Sequence, residues 1–178
     1  MIEEQDLKLL LKALSFAAHK HKDQRRKDVD ASPYINHPIS LASILCNEAH
    51  ITDIDVICGA LLHDTVEDTD TTFEELDTEF GSTIKDIVAD VTDDKTLSKA
   101  ERKQQQIEHA AHASGKAKLV KLADKITNLR DVAHNPPPDW SLARRKEYFN
   151  WAKQVIDQVR GTHSTLETLF DEAHALKP

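Results

Sequence analysis

Glycine and proline are scarce in this sequence, at 4 and 6 of 178 residues. Tight hairpin turns depend on both, so a fold built from many short strands is disfavoured. Cysteine is nearly absent. Cys46 and Cys58 stand in apolar patterns of helical spacing, far from any Cys-x-x-Cys arrangement, so they read as small buried hydrophobes and suggest no disulfide framework. No apolar run approaches the ~20 residues that a membrane span needs. The first residues, MIEEQDLKLLLKALSF, are acidic and amphipathic where a secretory signal would be basic and then continuously apolar. The expectation is a cytoplasmic protein with no membrane partner. Positive charge is also in deficit: 23 Lys and Arg against 31 Asp and Glu leave a net charge of -8. Non-specific binding to nucleic acid neutralises many phosphates with basic side chains, so nucleic acid is not an expected partner. An anionic ligand must be met by a local positive cluster or by a metal.

What is present is material for helices. Hydrophobic residues make up 39% and charged residues 30% of the chain, a globular composition rich in helix formers. The length suits one domain with a sizeable core, expected to span residues 1–178. Apolar residues recur at helical spacing almost throughout, as in Leu7, Leu10, Leu11, Leu14 and again in Leu119, Leu122, Ala123, Ile126, Leu129. The class is all-α. Helices are expected at about 4–22, 38–49, 53–67, 72–80, 82–92, 98–113, 115–132 and 141–174, the last divisible in two. Pro38 suits a first helical turn, Thr72 and Glu75 fit a capping box, and Gly81 suits a helix end. Residues 22–38 and 135–140 read as loops.

One stretch does not fit structural economy. ALLHDTVEDTDT, residues 60–71, runs from three apolar residues into His63, Asp64, Glu67 and Asp68. If residues 53–68 stay helical, the i, i+3 and i, i+4 spacings bring all four side chains to one face. Such carboxylates repel one another unless a divalent cation sits among them, and carboxylates with neutral imidazole are ligands for one. A second histidine, His37, stands in YINHP (34–38), and a further carboxylate, Asp124, shares a helix face with Asn128 in KLADKITNLRD (121–131). Metal sites in helical bundles draw their ligands from separate helices in this way.

These motifs resemble the HD superfamily of metal-dependent phosphohydrolases. HKDQRRKDVDASPYINHP, LLHDTVEDT, VTDDKTLSKAERK and KLADKITNLRD together resemble, more narrowly, the hydrolase domain of the RelA/SpoT superfamily in its stand-alone small alarmone hydrolase branch, of the metazoan SpoT-homologue type. The match covers about residues 8–170. The resemblance implies an all-α HD-domain bundle of about eight to ten helices and a single Mn²⁺. It also implies hydrolysis of the 3′-pyrophosphate of ppGpp and pppGpp to GDP or GTP plus pyrophosphate, in the stringent response. It assigns His37, His63, Asp64 and Asp124 to the metal, and Glu67 and Asp68 to the water and its proton. The family's synthetase, TGS and ACT regions have no room here, so alarmone would be degraded and not made. Independently, two imidazoles with two carboxylates suit Mn²⁺, Fe²⁺ or Zn²⁺ better than Mg²⁺.

A multiply charged nucleotide needs cations beside the ion. Arg25, Arg26 and Lys27 lie on the loop before His37. The resemblance places that loop against the nucleotide and selects Arg26 and Lys27; a guanidinium both stacks on a base and binds phosphate. Lys99 and Arg144 resemble positions that reach phosphate groups, Asn128 one that binds the ribose, and Tyr148 one that lines the pocket. Arg102, Lys103 and Arg145 read as ordinary surface residues. The remaining histidines read as surface or satisfied helix residues, and Trp140, Trp151, Phe149 and Phe170 as packing of the C-terminal helix. Relatives of this branch also act on ppApp-type adenosine alarmones and on the 2′-phosphate of NADPH, so the same site with either substrate stays open. A generic HD nucleotidase is disfavoured by EDT after HD and by the RRK loop. A non-catalytic alarmone sensor would have lost ligands, and all six acidic and histidine positions are present. Nothing in the sequence fixes the oligomeric state.

Overall fold

The structure, a computed structural model, describes residues 3–178. Met1 and Ile2, which begin the acidic amphipathic stretch, lie outside the described residues. Ten α-helices carry the fold: α1 Glu4–Lys20, α2 Asn36–Ser43, α3 Ile54–Leu62, α4 Thr65–Asp68, α5 Phe73–Phe80, α6 Ser82–Val91, α7 Lys99–Ala110, α8 Gly115–His134, α9 Leu142–Asp157 and α10 Ser164–Ala175. Among the described residues the β pairing is one isolated antiparallel bridge, Arg25 with Pro33. The all-α expectation stands. Two boundaries differ in ways that matter. The helix expected over 38–49 begins at Asn36 and widens into a π-helical turn, Ile44–Glu48. The helix expected over 53–67 ends at Leu62 and restarts at Thr65, with Asp64 at φ -101, ψ 0 between them.

Local chemistry explains most helix ends. Thr72 caps α5 by accepting from the Glu75 amide at 3.1 Å, but the return half of the box is missing because Glu75 turns to Lys20 at 3.2 Å. Both halves form at α7, where Ser98 accepts from the Glu101 amide and Glu101 accepts from the Ser98 amide. Gly81 joins α5 to α6 at φ 83, a conformation that an L side chain rarely adopts.

α3 is the central element. Every residue from Val56 to Leu62 is buried, and the helix packs against α1, α2, α6 and α8. An all-round apolar helix must be enclosed in this way. Gly59 permits a close crossing: a Cβ there would lie 2.6 Å from Ile87 Cγ2 on α6. α8 is the second axis, burying Val120, Leu122, Ala123, Ile126 and Leu129 against α9 and α10. Phe149 and Phe170 are fully buried there, each contributing about 1.5–3 kcal/mol of transfer free energy. One face of α8 stays out of this core, and the site is built on it.

Candidate active site

His37 lies in the first turn of α2, His63 caps the C-terminus of α3, and Asp124 stands mid-way along α8. Their donor atoms fall within 4.8 Å of one another. His37 Nε2 is 3.2 Å and His63 Nε2 3.9 Å from Asp124 Oδ1, and Asp64 Oδ2 is 2.9 Å from His63 Nε2. Both imidazoles are buried. The helix break at Asp64 makes this possible. Thr65 Oγ1 donates to the Leu62 carbonyl at 2.7 Å, which satisfies an acceptor that the interrupted helix leaves free. Asp64 then turns inward, where the Tyr34 hydroxyl donates to its Oδ2.

The donor set fits a divalent cation. The Ala60 carbonyl accepts from His63 Nδ1 at 2.7 Å, so that nitrogen carries the proton and Nε2 faces the cluster, the second-shell arrangement of metal-binding histidines. His63 Nε2 is buried, and its close approach to Asp64 is not aligned as a hydrogen bond. Burial keeps His37 below its ordinary pKa and thus neutral, the ligand form. Burial would lower His63 too, but Asp64 and Asp124 outweigh it and hold it up at about 9. The carboxylates gather positive charge to this point.

Glu67 and Asp68 do not share the single face expected of an unbroken helix. Glu67 turns toward the donor cluster and accepts from the Asp93 amide at 3.2 Å. Burial first, then the Asp64 charge, push it up to about 7. Asp68 points the other way, accepting from Gln24 Nε2 at 2.9 Å and pairing with Lys95.

The cluster sits where two cavities meet, of about 600 and 580 Å³, sharing Arg26, Lys27, His37, Asn128 and Tyr148 as walls. The first contains the donors and is edged by Lys99, Arg102, Lys103 and Arg144, with Lys121 and Lys125 from α8. Basic side chains outnumber acidic ones in its lining, eight to five, in a protein of net charge -8. Burial and the neighbouring Arg144, Lys103 and Lys27 lower the Lys99 pKa, the mark of cations crowded without counter-ions. The second cavity is less charged and runs between the 22–35 loop and α8, past Val132 and Pro137. Asn128 Nδ2 donates to Asp124 Oδ1 at 2.7 Å, and Arg26 pairs with Asp131 at 2.5 Å. Arg144 stacks on Trp140 at 4.4 Å, and Tyr148 packs between Trp140 and Trp151. All twelve residues selected from the sequence thus line these two cavities or supply the donors between them.

An HD domain profile matches residues 13–152. The chain belongs to the HD-domain family. It is similar to proteins named guanosine-3′,5′-bis(diphosphate) 3′-pyrophosphohydrolase MESH1. The zebrafish (Danio rerio) protein is 59% identical over 89% of this chain and 88% of its own. The Drosophila melanogaster protein is 52% identical over 91% and 90%. The solved structure of a metazoan ortholog of SpoT, described as hydrolysing ppGpp and playing a role in starvation responses, has a TM-score of 0.91 at 51% identity, covering 94% of each chain. The chain therefore stands with the metazoan SpoT-homologue branch of the HD-domain family.

Sequence spacing missed several groups in this HD-domain cleft. Tyr34 and Gln24 reach Asp64 and Asp68 across a loop, a contact without periodic signal. Arg102 and Lys103 line the first cavity instead of open surface, and Trp140 and Trp151, packed against the core as expected, also stand on its wall. His21, expected to be a surface or satisfied helix residue, is buried, with Nδ1 bonded to Gln24 Oε1 at 2.6 Å and the ring against Tyr34 at 4.8 Å. Lys121 and Lys125 carried a readable signal: they share the helix face of Asp124 and Asn128.

Proposed function

We propose that this chain is a Mn²⁺-dependent 3′-pyrophosphohydrolase that converts ppGpp and pppGpp to GDP or GTP plus pyrophosphate. The chain would act as one domain over residues 1–178, in the cytoplasm, during the starvation-linked stringent response. Names of the similar proteins favour this chemistry. The observation in this chain that carries it is the buried His37, His63 and Asp124 cluster, with Asp64 beside it, at the floor of a cation-lined cleft.

His37, His63, Asp64 and Asp124 would hold one Mn²⁺, whose mixed nitrogen and oxygen donors disfavour Mg²⁺. When bound, such an ion lowers the pKa of a water and offsets charge on a phosphate oxygen. Glu67, which burial and the Asp64 charge raise to about 7 in the metal-free protein, would take a proton from the attacking water and return it to the departing ribose oxygen. Asp68, held by Gln24 and Lys95, contributes a fixed negative charge and orientation. The water oxygen bonds to the phosphorus attached at the 3′ position, the bond from that phosphorus to the ribose oxygen breaks, and pyrophosphate leaves with the new oxygen. Arg26, Lys27 and Tyr148 would bracket the nucleoside, Asn128 the ribose, and Lys99 and Arg144 the phosphates.

The test is to incubate metal-free protein separately with ppGpp, ppApp and NADPH, with and without Mn²⁺, in ¹⁸O-labelled water. GDP plus ¹⁸O-bearing pyrophosphate, formed only with Mn²⁺, is expected. Faster turnover of ppApp or NADPH would keep the chemistry and replace the substrate, and no turnover of any would overturn the proposal.

A further inference from the structure

Lys121 is a buried lysine that forms no ion pair among the described residues. It is 7% exposed, yet its ammonium group makes no hydrogen bond and no ion pair within 4.0 Å among the described residues. Its neighbours differ: Lys125 on the next turn pairs with Asp124 at 3.0 Å and lies 4.5 Å over the Trp151 ring, and Arg26 pairs with Asp131. A buried charge left unpaired costs stability, so its retention calls for a partner that arrives from outside. Lys121 opens onto the cavity that contains the donor cluster. Burial, followed by the Lys125 charge, drops its pKa to about 8 against the opposing pull of Asp124, Asp93 and Asp90, none of which pairs with it within 4.0 Å.

Position along α8 says which anion. Lys121, Asp124, Lys125 and Asn128 follow one another at i, i+3, i+4 and i+7, so they form one stripe. At a rise of about 1.5 Å per residue, Lys121 lies about 4.5 Å beyond Asp124 along the axis, on the side away from Asn128. Asp131 and Val132, further along in the opposite direction, line the second, less charged cavity. The stripe is therefore ordered: nucleoside end, then the amide of Asn128, then the donor cluster at Asp124, then Lys121. A substrate with its ribose at Asn128 and its reacting phosphorus at the cluster carries its distal phosphate onward to Lys121.

We propose that Lys121 binds the distal phosphate of the 3′-diphosphate, and so makes the site selective for a ribose diphosphate over a ribose monophosphate. This rests on the pyrophosphohydrolase reading above. It adds a residue for which the enzyme gives up stability in order to hold the leaving group.

The experiment compares wild type with Lys121→Met, which keeps the length of the side chain and removes the charge. Three quantities are read: kcat/KM for ppGpp, Ki of guanosine 5′-diphosphate 3′-monophosphate as competitor, and calorimetric affinity of manganese-loaded protein, freed of excess ion, for inorganic pyrophosphate and for phosphate. Loss of one charge-assisted contact lowers kcat/KM for ppGpp and affinity for pyrophosphate by about tenfold to a hundredfold. The monophosphate competitor and inorganic phosphate should shift by less than about threefold on the same scale. The Tm of the variant without ligand should hold or rise, because no internal partner is lost. Equal losses for diphosphate and monophosphate, or no loss for either, would overturn the assignment. So would a variant that melts earlier or does not fold, since that reveals an internal partner. If wild type turns over no ppGpp, the pyrophosphohydrolase reading fails by itself, and the pyrophosphate and phosphate affinities still decide the role of Lys121.

Discussion

Glu67 and Asp68 are neighbours in the chain and face different partners: Glu67 accepts from the Asp93 amide beside the donor cluster, and Asp68 from Gln24 on the loop that carries the basic residues. Their roles should separate accordingly. Glu67→Ala should retain bound metal while losing about 10²- to 10⁴-fold in turnover, the usual loss of a general acid–base group. Asp64→Ala should lose both. Elemental analysis of the purified variants beside a rate assay decides this, and an empty Glu67→Ala would assign that carboxylate to the metal instead.

Tyr34 holds Asp64 through its hydroxyl, and the ring is half-buried against His21 and His37. Tyr34→Phe removes only that donor. The variant should fold normally and bind the metal about 10- to 100-fold more weakly, as when a second-shell partner is lost. Competition against a calibrated chelator measures the change; unaltered affinity would show that Asp64 is oriented without Tyr34.

Glu67 also gives a pH signature in the metal-free protein. Its folded pKa of about 7 exceeds the ordinary 4.5, so between those values the folded state binds more protons than the unfolded state. Stability from this group is present below about pH 4.5 and is lost as pH rises toward 7. Glu67→Gln should therefore match wild type near pH 4.5 and melt higher at pH 8. The difference is on the order of 1 kcal/mol after allowance for partial solvent screening, or about 2–4 °C. Melting curves of both proteins across that range supply the comparison. A constant offset, or a variant less stable at pH 8, contradicts the sign.

Gly59 sets the spacing of α3 and α6, since a Cβ would meet Ile87 Cγ2 at 2.6 Å. Gly59→Ala raises helix propensity yet overpacks this crossing, with a net cost of about 1–3 kcal/mol. Because His63 caps α3, metal affinity should fall in parallel. Ile87→Ala, which removes that Cγ2, should therefore cost less in the Gly59→Ala background than in the wild type in chemical denaturation; strictly additive losses would mean the two positions do not touch.

The sequence by itself determined the class and the inventory of this protein. Scarce Gly and Pro with apolar residues at helical spacing left little besides helices, and the motifs around His37, His63, Asp64 and Asp124 pointed to candidate metal donors before their positions were known. Those features are local, because periodicity and residue chemistry are written within a few turns of chain. Tertiary structure alone decided how the pieces meet. It broke the helix at Asp64, because the carboxylate finds Tyr34 across a loop and Thr65 satisfies the freed carbonyl of Leu62. It sent Glu67 and Asp68 apart, brought Arg102 and Lys103 to the cleft, and left Lys121 buried without an ion pair. Such relationships depend on distances between segments up to a hundred residues apart, and those distances are set by packing of the core around α3 and α8, which no local pattern encodes.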